Sequence, residues 1–223
     1  MLHSQLIKSD ISEGRLTSPA SLPELKQSLS AFRAASTTEK KYAISTLVLA
    51  FSNDPAVRWL FPDPHQCLTY FPQFVVAFAG KAFEQGTAYV SGDYTGAALW
   101  FAPDIESDSE EVGELLRGCL FEADQPDAFA VFDQMAHYHP HYPHWYLALL
   151  GVDPRYQGQG HGSGLLRAVL DKCDRDRLPA YLESSNPENI LFYQHHGFEV
   201  IGTIQAGKSP QIFPMLRRPI ASV

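Results

Sequence analysis

The run Gly151-Val152-Asp153-Pro154-Arg155-Tyr156-Gln157-Gly158-Gln159-Gly160-His161-Gly162 gathers the residue types that hold an anion with main chain alone. An apolar stretch, Trp145 to Val152, leads into it and reads as a strand. Leu165, Leu166, Val169, Leu170 and Cys173 recur at helical spacing after it. Glycines between a strand end and a helix start let the backbone close around a phosphate. The first helical amides have no partners and sit at the positive end of the dipole, so they donate to it. The chemistry expected here is the holding of a phosphorylated cofactor. Three patterns compete for the assignment. A P-loop requires Lys-Ser or Lys-Thr after the glycines, and neither follows. A dinucleotide fingerprint fits Gly158 and Gly160 but meets Ser163 where a third glycine is needed, and no βαβ unit stands near the chain start. The pattern Gln/Arg-x-x-Gly-x-Gly/Ala after a Val-Asp-Pro strand exit is met at Gln157, Gly160 and Gly162. The bland alternative is a glycine-rich turn with no ligand.

A second block follows after about one strand: Asn186-Pro187-Glu188-Asn189-Ile190-Leu191-Phe192-Tyr193-Gln194-His195-His196-Gly197-Phe198. Asn186 can cap a short helix, Pro187 fits its first turn and Gly197 can end it. With this block in view, the region from His144 to Phe198 resembles the GNAT superfamily of N-acetyltransferases. The first run is similar to that family's acetyl-CoA pyrophosphate loop, and the second to its asparagine, Phe-Tyr and Gly-Phe signature. Trp145-Tyr146-Leu147, Gly151-Val152, Tyr181-Leu182-Glu183-Ser184-Ser185 and Met215-Leu216-Arg217-Arg218-Pro219 resemble the puromycin N-acetyltransferase branch more narrowly. The likeness runs from about Thr38 onward, loosely in the first half.

The resemblance implies a fold, a co-substrate and roles. The fold is mixed α/β: a twisted, mostly antiparallel sheet with helices on both faces and a splayed central strand. The co-substrate is acetyl-CoA, its pyrophosphate on Gln157, Gly158, Gln159, Gly160, His161, Gly162 and Ser163. The pantetheine arm enters the splay beside Leu150, Gly151 and Val152. Gly151 is the expected bulge residue, because glycine tolerates the angles a bulge needs; an ordinary buried strand ending in glycine is the alternative. Acyl transfer from a thioester to an amine also needs a neutral amine and a stabilised leaving thiolate. Tyr193 is the expected proton donor to the thiolate, against a packing tyrosine. Asn186 and Asn189 either reach pantetheine amides or only cap the helix. Glu183 either accepts the amine's proton or braces neighbouring backbone; His144 and a water chain are the other ways out for that proton.

Behind these residues stand the elements that must position them. Thr38-Glu39 opens a helix through Ala50, and a second helix is expected over Gln66 to Gln85, with Pro55 and Phe61-Pro62-Asp63-Pro64 as a break between them. Thr87–Val90 and Ala97–Phe101 read as a hairpin, and Glu106 to Glu111 opens another helix. Further strands are expected at Trp145–Val152, Ala180–Ser184, Glu199–Thr203 and Gln211–Leu216, with a helix at Gly160–Arg177. Residues 1–36 read as a polar arm holding a possible first strand near Leu29 to Ala34, and 37–223 as the acetyltransferase domain. Aromatic residues of the first half, among them Trp59, Phe61, Tyr70, Phe74, Trp100, Phe132, Tyr138 and Tyr142, supply surface for an acceptor pocket or for core.

Bulk properties bound the partners. The chain has 223 residues and a net charge of −8, which suits one domain and argues against nucleic acid. An acidic body favours a cationic small-molecule amine as acceptor. Cys67, Cys119 and Cys173 are few and scattered, which fits a reducing cytoplasm without disulfides. The start of the chain lacks a secretory apolar core, and no apolar run is long enough for a membrane span. His137, His139, His141 and His144 are interleaved with Tyr138, Pro140, Tyr142 and Pro143 and lack an acidic or cysteine partner, so a loop beside the acceptor is expected rather than a metal site. A monomer or homodimer is expected. The rival from another class is a non-catalytic CoA-binding sensor, against which Tyr193 and the complete second block speak.

Overall fold

A computed structural model describes residues 32–103, 105 and 107–220. Of the arm expected over residues 1–36, residues 1–31 lie outside the described residues, and so does the start of the strand expected near Leu29. Seven strands form one sheet: β1 (Phe32–Ala34), β2 (Ala88–Ser91), β3 (Gly96–Phe101), β4 (Trp145–Val152), β5 (Ala180–Ser184), β6 (Glu199–Val200) and β7 (Phe213–Arg217). Their spatial order is β1-β2-β3-β4-β5-β7-β6, and every pairing is antiparallel except β4 with β5. That parallel pair requires a crossover, which the helix after the glycine run supplies.

The described helices are α1 (Lys40–Ala50), α2 (Pro55–Leu60), α3 (Pro64–Ala79), α4 (Lys81–Glu84), α5 (Ser109–Cys119), α6 (Gln125–Tyr138), α7 (His161–Asp176) and α8 (Ile190–His195). They cover both faces of the sheet. On one face Leu165, Leu166, Val169, Leu170 and Cys173 of α7 bury against Tyr89, Ala98, Trp100, Trp145 and Leu147. On the other, Leu47 of α1 and Phe71, Phe74 and Phe78 of α3 bury against Val90, Leu99, Phe101, Tyr146 and Leu149. Each fully buried side chain of this size stabilises the fold by about 1.5–3 kcal/mol.

Two expectations about the first half are corrected. The break at Pro55 is a helix start: Asp54 Oδ1 accepts from the amides of Ala56 and Val57 at 3.0 and 3.1 Å, and Pro55 takes the first-turn position where its missing N–H costs nothing. The helix expected over Gln66–Gln85 is two. It begins earlier, at Pro64 under an Asp63 cap, and is interrupted at Gly80 before α4. At the far edge, the strand expected over Glu199–Thr203 shrinks to Glu199–Val200, Ile204 makes only an isolated bridge to Ile212, and the last strand begins at Phe213. Strands β4 and β5 take the expected bounds.

The irregularity that matters lies in β4. Its register against β3 slips between Leu99 and Trp100: Leu99 faces Leu149 but Trp100 faces Leu147. Ala148 is therefore the extra residue of a β-bulge, and it packs on the same face as Leu149. Pairing with β5 also stops here, covering only Trp145–Leu147 against Ala180–Leu182. From Ala148 onward β4 and β5 splay. Gly151, the expected bulge residue, instead pairs regularly with Ala97. Its lack of a side chain serves packing: a Cβ there would lie 2.6 Å from Ala50 Cβ and 3.0 Å from Leu47 Cδ2. The glycine lets α1 lie close against the sheet.

Candidate active site

The splay decides which backbone groups are free. Asp153 N donates to Thr95 O at 2.8 Å, so Asp153 and Thr95 form a hydrogen-bonded pair. Antiparallel alternation then turns the main chain of Gly151 and Leu149 toward β3 and that of Leu150 and Val152 the other way, into the gap left by β5. Leu150 and Val152 thus present an open strand edge, partly used where Gln157 Nε2 reaches Val152 O at 3.2 Å. Gly151 presents none.

Beyond β4, a turn at Pro154–Tyr156 and the glycines lead into α7. Gly158 and Gly160 have φ of +73° and +86°, the left-handed region, and a Cβ at either would meet nothing within 4 Å. The amides of Gly160, His161, Gly162 and Ser163 donate to no described residue; the first closed helical bond is Gly164 N to Gly160 O at 2.9 Å. These are the orphan donors of a helix N-terminus, exposed or half-buried and free for an anion. Side chains of the loop are occupied locally. Gln159 Nε2 contacts Arg155 O at 3.4 Å, His161 Nδ1 meets Thr95 Oγ1 at 3.2 Å, and Ser163 Oγ pairs with His196 Nε2 at 2.9 Å. The loop offers main chain rather than side chains.

At the mouth of the splay is a cavity of about 110 Å³, lined by β4 from Tyr146 to Leu150, β5 from Leu182 to Ser184, and by Ser185, Asn189 and Tyr193. Asn186 caps the second block, its Oδ1 accepting from Glu188 N at 3.0 Å; Asn189 lines the cavity. Tyr193 is 8% exposed. Burial, helped by the charge of Asp54, raises its phenol well above the ordinary value, so it stays protonated across the neutral range. Asp54, which sequence reasoning missed, lines the same cavity, takes the Ser185 hydroxyl at 2.6 Å, and is itself raised by burial. Its place in an Asp-Pro pair, a helix-cap signal, was the one trace it left in the sequence.

Glu183 borders this cavity and a second one of about 710 Å³. Burial pushes its carboxyl up to about 7, while the nearby hydroxyls of Tyr146 and Tyr181 pull the other way. His139 and His144 also line the larger cavity, with their Nε2 atoms 3.0 Å apart. The aromatic residues of the first half, which the sequence left between pocket and core, separate here. Phe61 and Trp100 are fully buried core, whereas Trp59 and Phe74 line the smaller cavity, Tyr142 the larger, and Phe132 both.

The sheet is splayed at its one parallel pair, with helix-start amides that donate to no described residue beyond β4 and Tyr193 and Glu183 at the cavity between β4 and β5. The sequence model of the acetyltransferase (GNAT) family matches residues 73–198, more than half of the chain, and the chain belongs to that family, an N-acetyltransferase enzyme. An uncharacterized N-acetyltransferase of Schizosaccharomyces pombe is 29% identical, the match covering 80% of this chain and 79% of the relative. The fold is similar to that of a histone acetyltransferase HPA2 and related acetyltransferase of Corynebacterium glutamicum, at 21% identity, TM-score 0.60, covering 86% of this chain and 98% of that one. It is also similar to arylalkylamine N-acetyltransferase 2 of Aedes aegypti, at 14% identity, TM-score 0.59, covering 84% and 97%. Among the described residues no helix is long and apolar enough to cross a membrane.

Proposed function

We propose that this protein transfers an acetyl group from acetyl-CoA to a primary amine of a small molecule, by direct attack with both substrates bound. One observation carries the reading: the β4–β5 splay lies between the unpartnered amides of Gly160–Ser163 and the pair Tyr193 and Glu183. The open main chain suits an anionic, amide-bearing carrier, and a backbone cradle selects diphosphate without a lysine. Acetyl-CoA supplies an activated acyl group on a thiol leaving group. The residues do the rest. Gly160–Ser163 amides hold the diphosphate, and the free edge at Leu150 and Val152 pairs with the pantetheine amides. Asn189 borders the same channel. Glu183 takes the proton that the attacking amine sheds as the C–N bond forms. Tyr193 donates a proton to sulfur as the C–S bond breaks, and is reprotonated from solvent.

The likeness to puromycin N-acetyltransferases bears on scaffold and carrier, not on the acceptor. Small-molecule amines are favoured because structural relatives include proteins named arylalkylamine N-acetyltransferases. Free-thiol release from acetyl-CoA that depends on an added amine tests the reading. Tyr193→Phe is expected to lower kcat about 10²-fold while the thermal shift given by acetyl-CoA stays. Stabilisation by CoA with no amine-dependent thiol release from any amine would make the chain a sensor instead.

A further inference from the structure

The larger cavity, about 710 Å³, lies between α5, α6 and the His139–His144 turn, and Glu183 is part of its lining. Small-molecule sites run from about 300 to 1,000 Å³, so it holds a ligand of more than one ring. Its walls are aromatic: Phe78, Phe129, Phe132, Tyr142 and Tyr146. The described charged groups lining it are few. Arg117 lies with its guanidinium 5.4 Å from the Phe129 ring centroid, and Asp133 and Glu183 are the carboxylates.

The His139–His144 pair adds polarity without charge. His144 Nδ1 lies 2.8 Å from Tyr142 O, so that nitrogen carries the proton and donates. Its Nε2 is then an acceptor and takes the proton of His139 Nε2, at 3.0 Å. The His139 ring stands edge-on to Tyr146 and Tyr181, with centroids 4.8 and 5.0 Å away. Burial lowers both imidazoles below their ordinary value, which keeps the pair neutral at neutral pH. Among the described lining groups, a polyamine entering this chamber meets Arg117 and three histidine rings, with one carboxylate besides Glu183. An aromatic amine with a single nitrogen finds five aromatic side chains in the lining and needs only one carboxyl.

We infer that this cavity is the acceptor chamber and that it takes an aromatic monoamine, ring against Phe129 and Phe132 and nitrogen at Glu183. The inference rests on the acyl-transfer reading above and names its acceptor class. Aromatic packing on the α6 wall sets the affinity for the acceptor, and Glu183, shared by both cavities, marks where acceptor meets acyl donor.

The test is an acceptor panel read by thiol release, with 2-phenylethylamine, spermidine and a lysine-containing peptide. The aromatic amine should give the highest kcat/KM. Phe132→Ala should raise its KM about tenfold. Tyr142→Ala should act in the same direction; Tyr142 is half exposed, so this variant leaves the core intact. Phe129→Glu should move preference toward spermidine. A preference for spermidine or the peptide in the unaltered protein, or a KM for 2-phenylethylamine that ignores both Phe132→Ala and Tyr142→Ala, overturns the inference. So does thermal stabilisation by acetyl-CoA without turnover of the aromatic amine. Failure of CoA to stabilise the fold at all overturns the acyl-transfer reading beneath it.

Discussion

Glu183 sets stability against use. A carboxyl pushed up to about 7 by burial binds a proton more tightly in the folded chain than in the unfolded one. Between the ordinary carboxylate value and about 7 the folded state therefore holds more protons, and its stability falls as pH rises through that window. At neutral pH the fold bears this cost, and in the proposed reaction it leaves a base whose proton affinity matches its task. Glu183→Gln is expected to raise the thermal midpoint at pH above about 7 and to lower kcat/KM. It should also abolish the rise of kcat/KM with pH that the ionising carboxyl produces near that value. A carboxyl that only braces the strand predicts the opposite, a lower midpoint and an unchanged pH limb. Thermal melts and pH–rate profiles on the same variant separate the two. Tyr193 complements this group: burial and the charge of Asp54 keep its phenol protonated, so it remains a donor over the whole range in which Glu183 changes charge.

At the scale of elements, the loop before α7 works by conformation. Gly160 has φ of +86° with open space around it, so a methyl group there meets no neighbour but strains the backbone. Gly160→Ala is expected to cost about 1 kcal/mol of stability and to weaken CoA binding about tenfold or more, because relief of the strain re-aims the amides that follow. Calorimetry with CoA beside a denaturant melt checks it; unchanged affinity would mean those amides hold nothing. This loop was legible in the sequence because its determinants are consecutive: glycines between an apolar strand and a periodic helix. Strands β4 and β5 were legible for the same reason, as apolar runs bounded by turn residues. The bulge was not. Glycine is the easiest bulge residue to guess, but the register slips at Ala148, and Gly151 answers to Ala50 and Leu47, over a hundred positions earlier. Helix α2 hid because Pro55 reads as a breaker unless Asp54 is recognised as its cap. The acceptor chamber was equally hidden: α5, α6, a histidine turn and β5 converge on it from separate stretches of chain, and residue types alone do not separate Tyr142 at its wall from Trp100 in the core.

At the scale of the whole molecule, net charge and ligand charge oppose each other. The chain carries −8, and CoA is a polyanion, so the long-range field repels what the site must bind. The loop from Gln157 to Ser163 contains no lysine or arginine; in the proposed complex, attraction comes from oriented amides and the α7 dipole acting at contact distance. Salt acts differently on these two parts. Raising ionic strength from about 0.1 M to about 1 M shortens the screening length from about 10 Å to about 3 Å. That removes most of the distant repulsion while leaving hydrogen bonds to main chain largely intact. CoA affinity is therefore expected to stay level or to rise across this range, and the association rate to rise with it. A site that held its diphosphate with surface cations would lose affinity on the order of tenfold over the same interval. Titration calorimetry at the two salt concentrations distinguishes them, and a steep loss of affinity would place the diphosphate on Arg155 or Arg167 rather than on the amides of Gly160–Ser163.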